Sequence, residues 1–346
     1  MIPFGFWKQR SGCTNWPFLV KNVSSDLASG DWLGKGLGVA SNNNTYVTGA
    51  RRKNSDTGAA YVFIKSGSTW VQQAKLLSSD IQADDQFGHE TRISGNGNTI
   101  VVGARLEDTN GSSAGAAYVF TRSGSTWSQQ AKLLASDGQN GDQFGHKVDI
   151  STDGNTVVVA AAREDTGGSE AGAAYIYTRS GSTWSQQAKI QASDKAANDL
   201  FGVDAVGISA NGNSVVVGAA YKNSARGAAY VFTRSGSSWS QHSKLTASDG
   251  ASNDLFGFGA DISNAGDVIA VGAMRHDPGG TTNAGATYIY KLSGSTWSQE
   301  SKLIISDKAA YDEAGKYLSL SGDGKFVILG VEGNDFSVSD SGAAYI

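Results

Sequence analysis

Aspartates recur in pairs five residues apart along this sequence: Asp26/Asp31, Asp80/Asp85, Asp137/Asp142, Asp194/Asp199, Asp249/Asp254 and Asp307/Asp312. Two carboxylates in one loop can do either of two things. They can accept backbone N–H groups and fix a loop that turns back on itself. With loop carbonyls they can instead supply the converging oxygens that calcium requires. Recurrence along the whole chain favours the structural job over one unique active site, and calcium is the only cofactor expected, as the alternative. His89 and His146 each follow a Phe-Gly pair, but Lys35, Val203, Phe258 and Lys316 fill the equivalent positions, which is no metal shell. The string from Gly111 to Gly115 has the spacing of a nucleophile elbow, yet it precedes a strand where an elbow would join strand to helix. No phosphate loop or zinc-type cysteine pair occurs; the single cysteine, Cys13, reads as a small buried thiol.

The elements that carry these residues repeat. Tyr61, Tyr118, Tyr175, Tyr230, Tyr288 and Tyr345 each follow Gly-Ala-Ala or Gly-Ala-Thr, at spacings of 57, 57, 55, 58 and 57 residues. A fixed long period means one supersecondary unit per repeat, stacked because no unit can bury its own apolar faces. Each unit reads as four short strands. In the second unit, strand one runs from Phe87-Gly88 to Ile93, and Asn96-Gly97 gives a tight hairpin. Strand two is the apolar run from Thr99 to Ala104, strand three covers Ala116 to Phe120, and strand four covers Trp127 to Leu133. Alternation places Trp127, Gln129, Ala131 and Leu133 on one face of strand four and Ser128, Gln130 and Lys132 on the other. No segment has convincing helical periodicity.

The expected fold is therefore all-β: a single β-propeller over residues 1–346, with six four-stranded antiparallel blades. The units span 31–80, 85–137, 142–194, 199–249, 254–307 and 312–346. The last unit stops after its third strand, while residues 1–31 carry a fourth-strand pattern, so Trp16–Val23 is expected to pair beside Tyr345 and close the ring. Because Phe6-Trp7-Lys8 also aligns with a third strand, seven blades remain open if the chain is part of a longer protein.

Composition narrows the function. With 45 glycines, 3 prolines and apolar runs in every unit, the chain is neither disordered nor collagenous. A net charge of −4 and no basic stripe argue against nucleic acid. No run approaches the length of a membrane span, and the first residues are too short in apolar length for a secretory leader.

Phe-Gly, then Gly-Ala about fifteen residues later, then Gly-Ala-Ala-Tyr-Val-Phe, resembles the FG-GAP repeat, which builds the N-terminal propeller of integrin alpha chains. The Gly-Ala copies are Gly49-Ala50, Gly103-Ala104, Gly218-Ala219 and Gly272-Ala273; Ala160-Ala161 and Gly330-Val331 depart from the pattern. The near-identity of the copies is closest in style to microbial and phage members. The resemblance implies a propeller used for adhesion or recognition without catalysis. Integrin-like copies often place an acidic calcium loop between strands one and two. Here those turns, such as Gly95-Asn96-Gly97 and Thr152-Asp153-Gly154, hold at most one carboxylate and read as plain hairpins.

Connections in an up-and-down blade alternate between rims, so the loops joining strands two and three share a rim with the paired aspartates. Variation on the uniform scaffold concentrates in those loops, as a recognition surface requires. The candidate ligand-binding residues are Arg51, Arg52, Arg105, Arg163, Tyr221, Arg226, Arg275, His276, Glu332 and Phe336. The expected partner is a protein or glycan at a cell or virion surface. The alternative is an architectural component of a virion, tail fibre or extracellular layer.

Overall fold

The computed structural model describes residues 22–80, 82–333 and 342–346. Six antiparallel sheets follow one another along the chain, each in simple sequence order. The first consists of β1 (Leu33–Val39), β2 (Thr45–Ala50), β3 (Ala59–Ser66) and β4 (Thr69–Leu76). Four-stranded sheets of the same order occupy 90–133, 144–190, 206–245 and 256–303. The sixth contains β21 (Tyr317–Leu320), β22 (Val327–Val331) and β23 (Ala343–Tyr345). The sheets are arranged as a ring. Val39, Ile93, Ile150, Ile208, Ile262 and Leu320, one from the first strand of each sheet, line a single central cavity. This is a six-bladed β-propeller whose first strands line the channel. The closing strand expected over Trp16–Val23 falls outside the described residues except for Asn22 and Val23, which are in no strand.

The Phe-Gly and Gly-Ala motifs meet between blades. A Cβ on Gly49 would overlap the carbonyl oxygen of Gly88 in the next blade, and Gly103 stands in the same relation to Gly145, Gly218 to Gly257 and Gly272 to Gly315. Only glycine lets two backbones approach so closely. The approach lets the amide of each Phe-Gly phenylalanine donate across the junction: Phe87 to Thr57 (3.0 Å), Phe144 to Ala114 (2.8 Å), Phe201 to Ala171 (3.0 Å) and Phe256 to Arg226 (3.2 Å). The phenyl rings lie fully buried in cores shared by two blades; Phe87 packs with Val47, Ala60 and Val62 on one side and meets Tyr118 edge-on at 5.5 Å on the other. At the third junction Ala160 replaces the glycine, and its methyl fills the space that a Cβ on Gly202 would need. The first strand of that next blade, β13, is only Val206–Ile208.

The repeated string Thr-Trp-Ser-Gln-Gln-Ala-Lys-Leu forms an outer fastening. The indole N–H of Trp127 donates to Gln73 of the preceding blade (2.9 Å), Trp184 to Gln130 (2.8 Å) and Trp239 to Gln187 (2.8 Å). The face assignment from alternation does not hold here. In β8 (Thr126–Leu133), Ala131 pairs with Val119 and Gln129 pairs with Phe120, so Gln130 is an extra, bulged residue. A bulge reverses the alternation beyond it. Lys132 therefore shares the face of Trp127 and Gln129, while Ala131 and Leu133 turn with Gln130 toward the third blade.

Replacing Gly103 by valine is expected to cost at least about 3 kcal/mol in denaturant unfolding, because backbone must move to admit the side chain. Gly124 has a positive φ (+61°) but open surroundings, so Gly124→Ala is expected to cost only about 1 kcal/mol. Equal losses at the two sites would show that the junction is not a close-packed contact.

Candidate functional site

The paired aspartates form a clamp at the entrance to each blade. The first member of a pair accepts the hydroxyl of a buried tyrosine and the ammonium of a lysine on strand four. Asp80 takes Tyr118 (2.9 Å) and Lys132 (2.5 Å), and Asp137 takes Tyr175 (2.8 Å) and Lys189 (2.6 Å). Asp26, Asp194 and Asp249 do the same with Tyr61 and Lys75, Tyr230 and Lys244, and Tyr288 and Lys302; Asp307 takes Tyr345. The second member accepts the backbone N–H three residues before it: Asp31 from Ala28, Asp85 from Gln82, Asp142 from Gln139, Asp199 from Ala196, Asp254 from Ala251 and Asp312 from Ala309. Burial opposes ionisation of Asp137, but Lys189 and Tyr175 outweigh it and hold the carboxyl below its usual range. Asp142 has no cation to help it. Burial, opposed by the Gln139 N–H and reinforced by Glu164, Asp165 and Asp137, pushes it up to about 6.

The two-to-three loops do lie on this rim, and in the first five blades they carry one of three inward groups. In blades one and four, Lys53 and Lys222 turn inward, buried, and pair with Asp31 (2.9 Å) and Asp199 (2.7 Å). Their loops then turn through left-handed residues, Asn54-Ser55 and Asn223-Ser224. In blades two and three Glu107 and Glu164 occupy that place, and Lys132 and Lys189 fork between the glutamate and the first aspartate of the pair. Blade five uses His276, whose Nδ1 donates to Asp254 (2.9 Å) and whose Nε2 accepts from Lys302 (2.6 Å). His276 is therefore buried beneath the rim and is not displayed on it. Of these inward groups the sequence singled out His276 alone, as a displayed residue; Lys53, Lys222, Glu107 and Glu164 were not among its candidates.

The remaining candidates separate by place. Arg51 and Arg52 clasp the ring of Trp32, their guanidinium carbons 4.7 and 3.9 Å from its centroid. Arg105 lies at the second junction, donating to Gln86 (2.9 Å) and Gln143 (3.2 Å). Arg163 is exposed and paired with Glu170 (2.8 Å). Tyr221, Arg226 and Arg275 are exposed on the rim. Glu332 is exposed and paired with Lys316. Phe336 lies outside the described residues. Trp32, which sequence reasoning passed over, is 48% exposed. It occupies a left-handed backbone position (φ 57°) that each blade repeats, where the others carry Gln86, Gln143, Leu200, Leu255 and Glu313.

Inside this ring Lys35, Glu90, His146 and Lys147 on the first strands, with His89 and Asp204 just before theirs, come together near the channel mouth. The imidazoles of His89 and His146 lie 4.9 Å apart, and burial, with the neighbouring cations, holds both below the usual histidine range, His146 at about 3. Glu90 pairs with Lys147 (3.0 Å) and Arg92.

The pairing of Phe-Gly with the preceding blade's Gly-Ala is the signature of a sequence family. The FG-GAP repeat matches residues 70–120, 127–177, 184–232, 239–290 and 297–346. The chain belongs to the FG-GAP repeat family. Each matched FG-GAP unit begins at the tryptophan of one blade's outer strand and ends on the third strand of the next, so the sequence repeat straddles the junction it stabilises. No curated protein matches the chain in sequence. Among solved structures it is similar to hydrazine synthase of Kuenenia stuttgartiensis, with a TM-score of 0.58, 14% identity, and coverage of 90% of this chain and 78% of that one. It is also similar to a periplasmic gluconolactonase of Pseudomonas aeruginosa, with a TM-score of 0.57, 12% identity, and coverage of 86% and 78%. At such identities the likeness concerns the fold alone.

Two outcomes follow for the clamp. With its folded pKa raised to about 6, Asp142 contributes stability that is fully present below its ordinary pKa of 3.8 and lost as pH rises through 6. Asp142→Asn is expected to raise the melting midpoint at pH 7.5 by a few degrees and to shallow the decline between pH 4 and 6; a lower midpoint at pH 7.5 would contradict it. Because tyrosine and lysine already engage the first aspartate of each complete clamp, a calcium chelator is expected to leave the melting midpoint unchanged. A clear drop would restore the calcium reading.

Proposed function

We propose that this FG-GAP propeller is a non-enzymatic recognition module that binds a protein or glycan at a cell or virion surface through the rim carrying its two-to-three loops. The observation that carries this reading is Trp32 held between Arg51 and Arg52. Exposed tryptophan and arginine dominate the energetics of binding surfaces, and guanidinium groups stacked on an indole pre-order both for a partner. The repeat makes the departure informative: the same backbone position in five other blades holds no aromatic residue. The recurrent carboxylates of the rim are engaged by tyrosine, lysine and backbone N–H groups, which suits a scaffold better than acid–base chemistry. The setting is extracellular or on a virion.

An architectural role, in a virion, tail fibre or surface layer, is the second reading. Phe326 and Ile328 on the sixth blade are exposed apolar residues outside the channel-lining strands, of the kind a lateral contact would use.

Binding to a glycan array and to intact cells distinguishes the two. Trp32→Ala is expected to weaken binding by at least about tenfold, while Phe326→Ser leaves it unchanged. Full binding by a Trp32→Ala, Arg51→Ala, Arg52→Ala triple variant would reject the rim. Loss through Phe326→Ser alone would favour the architectural reading.

A further inference from the structure

Identical blades would give the channel mouth six-fold uniformity, and the basic residues break it. At the position just past strand two, the first two blades carry Arg51 and Arg105, whereas the next three carry the buried Ala162, Ala220 and Met274. Just past the Phe-Gly pair, the first blade adds Lys35. These three cations share one electrostatic environment. Burial, then Lys147 and Arg51, depress Lys35, while burial, then Arg51 and Arg163, depress Arg105. None of the three has a carboxylate within ion-pair distance among the described residues. The acids nearby are Glu90, already taken by Lys147 and Arg92; Asp56, which acts on Arg51 but is paired with Arg52 (3.5 Å); and Asp204 on the fourth blade, across the channel, with no cation in ion-pair contact. Like charges gathered in a partly desolvated mouth repel one another and attract a counter-charge. A second observation points the same way. Arg51 Nε and His146 Nδ1 are buried and have no hydrogen-bond partner among the described residues. Buried polar atoms in a folded protein are satisfied by protein, water or ligand.

We propose that the rim-side mouth of the central channel, between Lys35, Arg51 and Arg105, binds an oxyanion carried by the recognised ligand, a carboxylate or sulfate group on an acidic sugar. Arginine and lysine supply charge-assisted donors to the oxygens, and the uncharged His89–His146 pair adds polar contact on the side wall. Phe258, half-buried over the core cluster of Ala220, Leu255 and Met274, offers an apolar surface at the fifth blade, suited to the less polar face of a ring. Asp204 sits on the far wall, where it repels an anion placed off centre. The inference rests on the rim being a recognition face and specifies the chemistry recognised there.

Calorimetric titration with glucuronate, glucose 6-sulfate, glucose and inorganic sulfate tests it. Glucuronate or glucose 6-sulfate is expected to bind and glucose is not, and Lys35→Gln and Arg105→Gln are each expected to weaken binding by about tenfold. Lys291→Gln, an exposed lysine on the flank, leaves it unchanged. Lys35 makes no ion pair, so its variant keeps the test valid should Arg105→Gln fold poorly. Binding of inorganic sulfate as tight as that of the sugar acids would overturn the sugar assignment. No binding of any anion, or binding untouched by both variants, would overturn the site itself. Loss of cell or glycan-array binding in the Trp32 variant with anion titration intact would leave both readings standing. Anion binding in a protein whose rim variants recognise everything as before would remove the recognition reading alone.

Discussion

Everything in this molecule depends on two backbones touching without a side chain between them. A β-blade has two apolar faces, and a ring of blades is stable only if each face is covered by its neighbour at close quarters. The inner strands converge on the axis, where there is least room. Glycine on strand two of one blade and glycine after the phenylalanine of the next let the chains approach there, and the phenylalanine amide then donates across the gap. The aromatic side chains work farther out, where blades diverge: Phe87 against Tyr118, Trp127 against Gln73. The gradient from glycine inside to tryptophan outside is the wedge shape of the blade written in residue volumes.

That constraint separates what must repeat from what is free to vary. The clamp on the rim repeats because each chain entry needs a fixed loop, and it tolerates Lys53, Glu107 or His276 because several charge arrangements satisfy the same aspartate pair. The position beside it is under no such demand. Trp32 can stand where Gln86 stands, and Arg51 where Ala220 stands, without altering the backbone that holds them. Function in a repeat protein is therefore read from its irregularities. The irregularities here concentrate charge and an exposed indole on the first and second blades.

Much of the fold was legible in the sequence because the period, the Phe-Gly pair and the Asn-Gly turns are local signals repeated many times over. The rim shared by the aspartates and the variable loops followed from strand parity alone. Three things were not legible. The bulge at Gln130 adds one residue to strand four, and alternation cannot reveal an insertion that every copy shares. The burial of His276 depends on Asp254 and Lys302 meeting it from separate segments. Trp32 looked like one more apolar residue before a Leu-Gly pair, and only the left-handed backbone and the flanking guanidinium groups show that it is held outward. The closing strand expected from Trp16–Val23 rests on its sequence match, since most of it lies outside the described residues.

The dependence of the ring on the glycine junctions is most directly tested by native-state hydrogen exchange at the amides of Phe87, Phe144, Phe201 and Phe256. These amides lead into the first strand of each blade from a loop, and in isolation would exchange at loop rates. If the inter-blade contact holds the ring, they exchange only through global unfolding, as slowly as Val101 and Val158 in the centres of second strands. Exchange at the rate of the neighbouring rim loops would contradict the account, leaving the blades held together by their outer strands instead.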